Sequence, residues 1–105
     1  MDELTWKPAW QLRDLMASGE LSPVEVTDHF LARIEKLDPV LHAFAHVNAA
    51  GARAQAARAQ RAVADGGPLG PLHGIPVSVK EHIAVAGLPL RRLGGGDRID
   101  RKSVV

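Results

Sequence analysis

The chain has 105 residues, 46% apolar and 24% charged, the balance of one small globular domain rather than a disordered or fibrous segment. It lacks cysteine, which excludes disulfides and thiolate metal sites, and its net charge of +1 offers no basic face for nucleic acid: the last nine residues hold three of the 13 Lys and Arg and two of the 12 Asp and Glu, and the remainder is balanced. No apolar run reaches the roughly 18 residues of a membrane span, and "MDELTWKPAW" lacks the basic start and apolar stretch of a secretory leader, so the expectation is a cytoplasmic protein with neither membrane nor nucleic acid as a direct partner.

The first predicted helix runs from about Pro8 to Ser18. Pro8 suits a first turn, Leu12, Leu15 and Met16 share a face, and Gly19 suits a left-handed stop. In "LSPVEV", Ser22 reads as an N-cap, Pro23 as the first helical residue and Glu25 as the reciprocal partner of a capping box. The second helix then carries Val26, Phe30, Ile34 and Leu37 on one stripe. Asp38-Pro39 is its expected end, because a residue before proline resists the α region.

"LHAFAHVN" reads as a short extended stretch with Leu41, Ala43, Ala45 and Val47 on one face. Asn48 can cap a third helix, about Ala49 to Ala64, with Ala49, Ala52, Ala56, Ala59 and Val63 as a thin stripe. Alanine favours the helix but buries little area, so this helix must lie close against a neighbour. Arg58 and Arg61 fall in its last turns, where the dipole favours them, and Gly66-Gly67 end it.

From Ile75 the period changes to two. Ile75, Val77 and Val79 face one way and Pro76, Ser78 and Lys80 the other, which predicts a largely buried strand and an α/β layer arrangement.

The five histidines do not form a metal pattern. His42 and His46 would stand about 13 Å apart on a strand, and the glutamate of H-E-x-x-H is missing. "GIPVSVK" has valine before Lys80 where a phosphate loop needs glycine. The Gly94–Gly96 run has no helix after it and reads as a flexible loop rather than an anion nest. No metal or cofactor is expected.

For Lys80 the residues leave two readings. One is an exposed lysine paired with Glu81. The other is a lysine at the carboxyl end of a buried strand, where open α/β sheets place their sites. In a dry site desolvation lowers the ammonium pKa from about 10.4, and the neutral amine can serve as a general base for a hydroxyl nucleophile.

"GPLHGIPVSVKEHIAVAGLP" resembles the first signature block of the amidase signature family, serine hydrolases that split carboxamides. "LSPVEVTDHFLARIEKLDPVLHAF" resembles that family's N-terminal helices, and the similarity covers roughly Asp2 to Pro89. The resemblance implies an α/β/α sandwich around a mixed, mostly parallel sheet, of which this chain holds a helix-rich N-terminal part. It makes Lys80 the base of a Ser–cis-Ser–Lys triad, relaying through a bridging serine to the nucleophilic serine, with backbone N–H groups holding the oxyanion.

Two departures stand out. The family has Lys-Asp-Asn where this chain has Lys80-Glu81-His82, and His82 is a candidate for tuning specificity. Beyond these, the only serines are Ser18, Ser22, Ser78 and Ser103. Ser18 and Ser22 belong to helix ends, Ser78 is a strand neighbour of Lys80, and none maps to a family nucleophile or bridge.

The expected organisation is therefore an N-terminal amidase segment over 1–89 and a non-family, disordered tail over 90–105. Residues 100–105 back-translate as GAT CGG AAG AGC GTC GTG, the start of a widely used sequencing adapter, so they are expected to be artefactual and the gene to be longer. Different codons in the parent DNA would end that idea. Three functions stay open. The main one is a fragment, inactive alone, of an enzyme that hydrolyses a small carboxamide. A variant within the family is the A subunit of a tRNA-dependent amidotransferase, which releases ammonia from glutamine and needs partner subunits. From another class, the chain is a complete, non-catalytic α/β binding protein. A truncated sandwich would also leave apolar faces uncovered and favour aggregation or a loose state.

Overall fold

The computed structural model describes residues 2–80, 83, 85, 86, 89, 90, 98 and 99. A 3-10 turn at Asp2–Leu4 precedes helices α1 (Ala9–Ala17), α2 (Pro23–Leu41) and α3 (Ala49–Asp65). Two strands of two residues, β1 (Pro89–Leu90) and β2 (Arg98–Ile99), pair antiparallel with Pro89 opposite Ile99 and Leu90 opposite Arg98. The chain divides into two units, Met1–Ala43 with Ala49–Pro76, and Phe44–Asn48 with Val77–Val105.

The first unit is helical, and its helices begin and end for local chemical reasons. Pro8 is the residue before α1 rather than its first turn; its carbonyl accepts the N–H groups of Gln11 at 3.0 Å and Leu12 at 3.1 Å. Ser18 and Gly19 close the helix, Gly19 at a φ of +84°. At the start of α2 both halves of the capping box are present: the Glu25 N–H donates to Ser22 Oγ at 3.0 Å, and the Ser22 N–H donates to Glu25 Oε2 at 3.4 Å.

Helix α2 does not stop at Asp38-Pro39. It continues to Leu41, so the expected boundary is corrected by one turn. Pro39 removes a single N–H from a solvent-exposed turn, and Asp38 caps the turn that follows it. Its carbonyl accepts the His42 N–H at 2.7 Å and its Oδ1 accepts the Ala43 N–H at 2.7 Å, with His42 itself left-handed at a φ of 51°. The pre-proline preference is outweighed because the final turn gains a side-chain cap. Leu41 consequently belongs to the helix, and 42–48 form an exposed irregular link rather than an extended stretch with one buried face.

Leu4, Leu12, Met16, Leu21 and Val26 make the core, with Leu15, Phe30 and Ile75 packed against it. The stripe on α2 fades along the helix: Val26 is fully buried, Phe30 and Ile34 half-buried, Leu37 exposed. Helix α3 lies against α2 through its alanine stripe, with Ala56 buried and Ala49, Ala52, Ala59 and Val63 half-buried. The small side chains permit the close approach that their sequence pattern required. An ion pair between Arg53 Nε and Asp28 Oδ1, 2.9 Å apart, spans the two helices at half-exposed positions, where such pairs contribute at most about 1 kcal/mol.

In the second unit the two-residue ladder is the only sheet among the described residues. Residues 75–80 were expected to form a buried strand and do not. Their backbone pairs with no neighbouring strand, the Ile75 N–H is already committed to the Leu72 carbonyl at 3.0 Å, and Val77 and Val79 are exposed. An alternating pattern specifies which face a strand would bury, but it forms one only where a partner strand takes up its backbone groups. The layered sheet of the sequence reading is thus not seen here. Glu81, His82, Gly94–Gly96 and the remainder of the predicted tail lie outside the described residues.

Candidate active-site lysine and the loop that leads to it

The segment "PLGPLHGIP" is held by a side chain of α1 and by its own His73 side chain on a backbone carbonyl of α3. After α3, the loop tightens through a turn over 71–74. The His73 N–H donates to the Gly70 carbonyl at 3.2 Å, and the Ile75 N–H to Leu72. From α1, Arg13 donates through Nε to the Gly70 carbonyl and through a terminal nitrogen to the Leu69 carbonyl, each at 3.3 Å. From below α3, His73 Nε2 lies 2.8 Å from the Ala59 carbonyl; a carbonyl only accepts, so Nε2 carries the proton. Gly74 then sits at a φ of +79° against Met16 and Pro23, with room for no side chain. Ile75 packs on the core, and the chain passes into the second unit at Val77.

Lys80 itself is exposed, and its carbonyl accepts the Ile83 N–H at 2.9 Å. Ser78, two residues earlier, is also exposed and makes no hydrogen bond to Lys80. The dry surroundings that would turn this amine into a base are therefore not built by the described residues. The two helix-end serines do what their positions suggested: Ser22 caps α2, and Ser18 at the end of α1 donates to the Leu15 carbonyl at 3.0 Å. Among the described residues no three His, Cys, Asp or Glu side chains gather as a metal would require. Also among them, no helix is long and apolar enough to cross a membrane.

Sequence reading missed the roles of Arg13, His73 and Gly74. For Arg13 no local signal exists, because its loop partners are 56 and 57 residues away. For Gly74 there was one. A glycine directly before a β-type run in "HGIP" is where a left-handed turn or a close approach belongs, and here it serves both.

Comparison with known proteins adds what this geometry lacks. The Amidase family model matches residues 25–92, a span that includes α2 from Glu25 onward, α3, the tethered loop and Lys80. The A subunit of the glutamyl-tRNA(Gln) amidotransferase of Synechococcus sp. strain WH7803 is 47% identical over 76 residues, covering 72% of this chain and 16% of that protein. The corresponding protein of Salinispora tropica is 45% identical over 89 residues, 85% of this chain and 18% of its own length. That of Roseiflexus castenholzii is 48% identical over 80 residues, 74% and 16%. The chain thus spans less than a fifth of the length of these relatives. No solved structure gives a significant match. With most of α2, the alanine helix and the lysine block inside one family match, the chain belongs to the amidase family.

Proposed function

We propose that this chain is the lysine-bearing N-terminal part of a glutamine-hydrolysing amidotransferase A subunit, with Lys80 as the base. The observation that carries this reading is the relatives' identity of 45–48% over 72–85% of this chain, in proteins all named as the A subunit of glutamyl-tRNA(Gln) amidotransferase. This turns the sequence-based preference around: the carboxamide hydrolase of unspecified substrate becomes the second reading, and the amidotransferase component the first.

In this reading the neutral Lys80 amine accepts a proton from a bridging serine. That serine takes the proton of the nucleophilic serine, whose oxygen attacks the amide carbon. The C–N bond breaks as the nitrogen takes a proton and leaves as ammonia, and water then hydrolyses the acyl-serine to a carboxylate. The two serines and the oxyanion donors come from parts of the protein other than the residues described here, and so does the cover that desolvates Lys80. Partner subunits receive the ammonia; the substrate is glutamine; no cofactor takes part.

A chimera tests this: residues 1–89 replace the matching segment of the Salinispora tropica protein, and ammonia release is followed with glutamine and with simple carboxamides. Release from glutamine supports the proposal, and Lys80→Ala should lower it about a thousandfold, the middle of the range a general base contributes. Unchanged turnover by Lys80→Ala removes the lysine from the mechanism. Hydrolysis of simple carboxamides without glutamine favours the second reading.

A further inference from the structure

We propose that the uncovered apolar stripe at the C-terminal end of α2, made by Leu37, Val40 and Leu41, is a docking face for the remainder of the same A-subunit polypeptide, outside the span that this chain matches. The proposal rests on the reading of the chain as part of an A subunit.

At about 100° per residue, Leu37 and Leu41 fall within about a quarter turn of Val26, Phe30 and Ile34, and Val40 lies beside them. Asp28 and Glu35 stand on the opposite face. The stripe therefore continues the side of α2 that fills the core, but its cover stops. The core residues of α1 meet Val26 and Phe30, and α1 has nine residues, about 13 Å, against nineteen and about 28 Å for α2. Helix α3, packed on α2 through its alanines, leaves Val40 80% and Leu41 65% exposed. The Asp38 cap nonetheless carries the helix past Pro39 and keeps both side chains in step with the stripe. Helical order draws most of its stability from a packed apolar face.

A second copy of the chain does not fit this face. Burying a Leu or Val side chain removes at most roughly 120 Å² from water, so three supply less than half of the ~800 Å² per partner of a stable dimer. A segment of the same polypeptide needs no such area, because tethering replaces the entropy cost of association. The Salinispora tropica protein, matched over 18% of its length, has ample further chain for this role.

The chain has no cysteine, so a single introduced thiol reports on one position. Val40→Cys, Leu41→Cys and, as an exposed control, Glu35→Cys are labelled with a maleimide under native conditions and read by peptide mass. Each is measured in the 105-residue chain and in the chimera that carries residues 1–89 within the Salinispora tropica protein. The thiols at 40 and 41 should label freely in the chain and at least about tenfold more slowly in the chimera, since a covered thiol reacts only through local opening. The thiol at 35 should label alike in both. Equal labelling of 40 and 41 in the two proteins would overturn the proposal, leaving solvent or a separate subunit to face the stripe. Slow labelling in the dilute chain would mean that the chain covers the face itself, and slowing as concentration rises would mean that a second copy does; either overturns it. Should the chimera not fold, the natural Salinispora tropica protein takes its place, with cysteines at the positions aligned to 35, 40 and 41 and the same outcomes. Labelling does not depend on turnover. The chimera can bury the stripe yet release no ammonia from glutamine, or the reverse, so the docking face and the catalytic reading fail separately.

Discussion

Placing a methyl group on Gly74 tests the packing of the loop most directly, because the chain contains its own control. Gly74 and Gly19 have nearly the same backbone, φ of +79° and +84°. A Cβ at Gly19 meets nothing within 4 Å, whereas at Gly74 it falls 2.8 Å from Met16 Sδ, 3.1 Å from Met16 Cε and 3.2 Å from Pro23 Cγ. Met16 is 1% exposed and Pro23 is a buried ring, so neither has space into which to retreat. Left-handed backbone costs an L-residue about 1–2 kcal/mol, partly offset by the stiffer unfolded chain, and both substitutions carry that cost. Overpacking a filled core costs a further ~1–3 kcal/mol, and only Gly74→Ala incurs it. The expected destabilisation is about 1 kcal/mol for Gly19→Ala and about 3 kcal/mol for Gly74→Ala. Urea titration followed by circular dichroism at the helix band reads the difference. With a slope near 1 kcal/mol/M for a unit this small, the two midpoints should stand about 2 M apart. Exchange at the Met16 and Val26 amides supplies a local reading of the same change. Equal midpoints for the two variants would refute the close docking of the loop on α1.

Replacing Ser22 with alanine should cost about 1 kcal/mol and fray the first turn of α2, while Ser22→Asp should retain most of the cap; equal loss in both, by urea midpoint, would contradict the capping geometry. Asp28→Asn should change stability by less than about 1 kcal/mol, and the difference should vanish in high salt, because the Arg53 pair is half-exposed; a loss of several kcal/mol would mean the pair is far better shielded than its exposure indicates. Trp6 and Trp10 are 80% and 67% exposed, so their emission should resemble free tryptophan in water and be fully quenched by acrylamide; a blue-shifted, protected emission that fades on dilution would show that copies of the chain cover them by self-association.

The three helices were legible because their determinants lie within a turn or two of one another. The Ser22–Glu25 box, the Val26 stripe and the alanine stripe of α3 each declare themselves over a few residues, and the structure uses all of them. Where the reading went astray, a local rule met a competing contact. Asp38-Pro39 was an adequate stop signal, but the Asp38 carboxylate caps the turn beyond it and the helix runs on. The Ile75–Lys80 alternation marks a strand only in company. Ile75 is held by the core, and Val77 and Val79 face solvent.

The lysine block was readable because it is a compact run of residue types, which is why Lys80 emerged without any coordinates. What holds the approach to it was unreadable for the opposite reason. Arg13 and the carbonyls it binds are separated by more than fifty residues, and a hydrogen bond to a backbone carbonyl leaves no mark on the identity of the residue that supplies it. Sequence alone therefore determined the three helices, the capping box of α2 and the lysine proposed as the base. Only the tertiary structure decided that Gly74 must be glycine against Met16, and that α1 reaches across to grip the loop. Contacts between distant segments exist once the chain has folded, and periodicity describes one segment at a time.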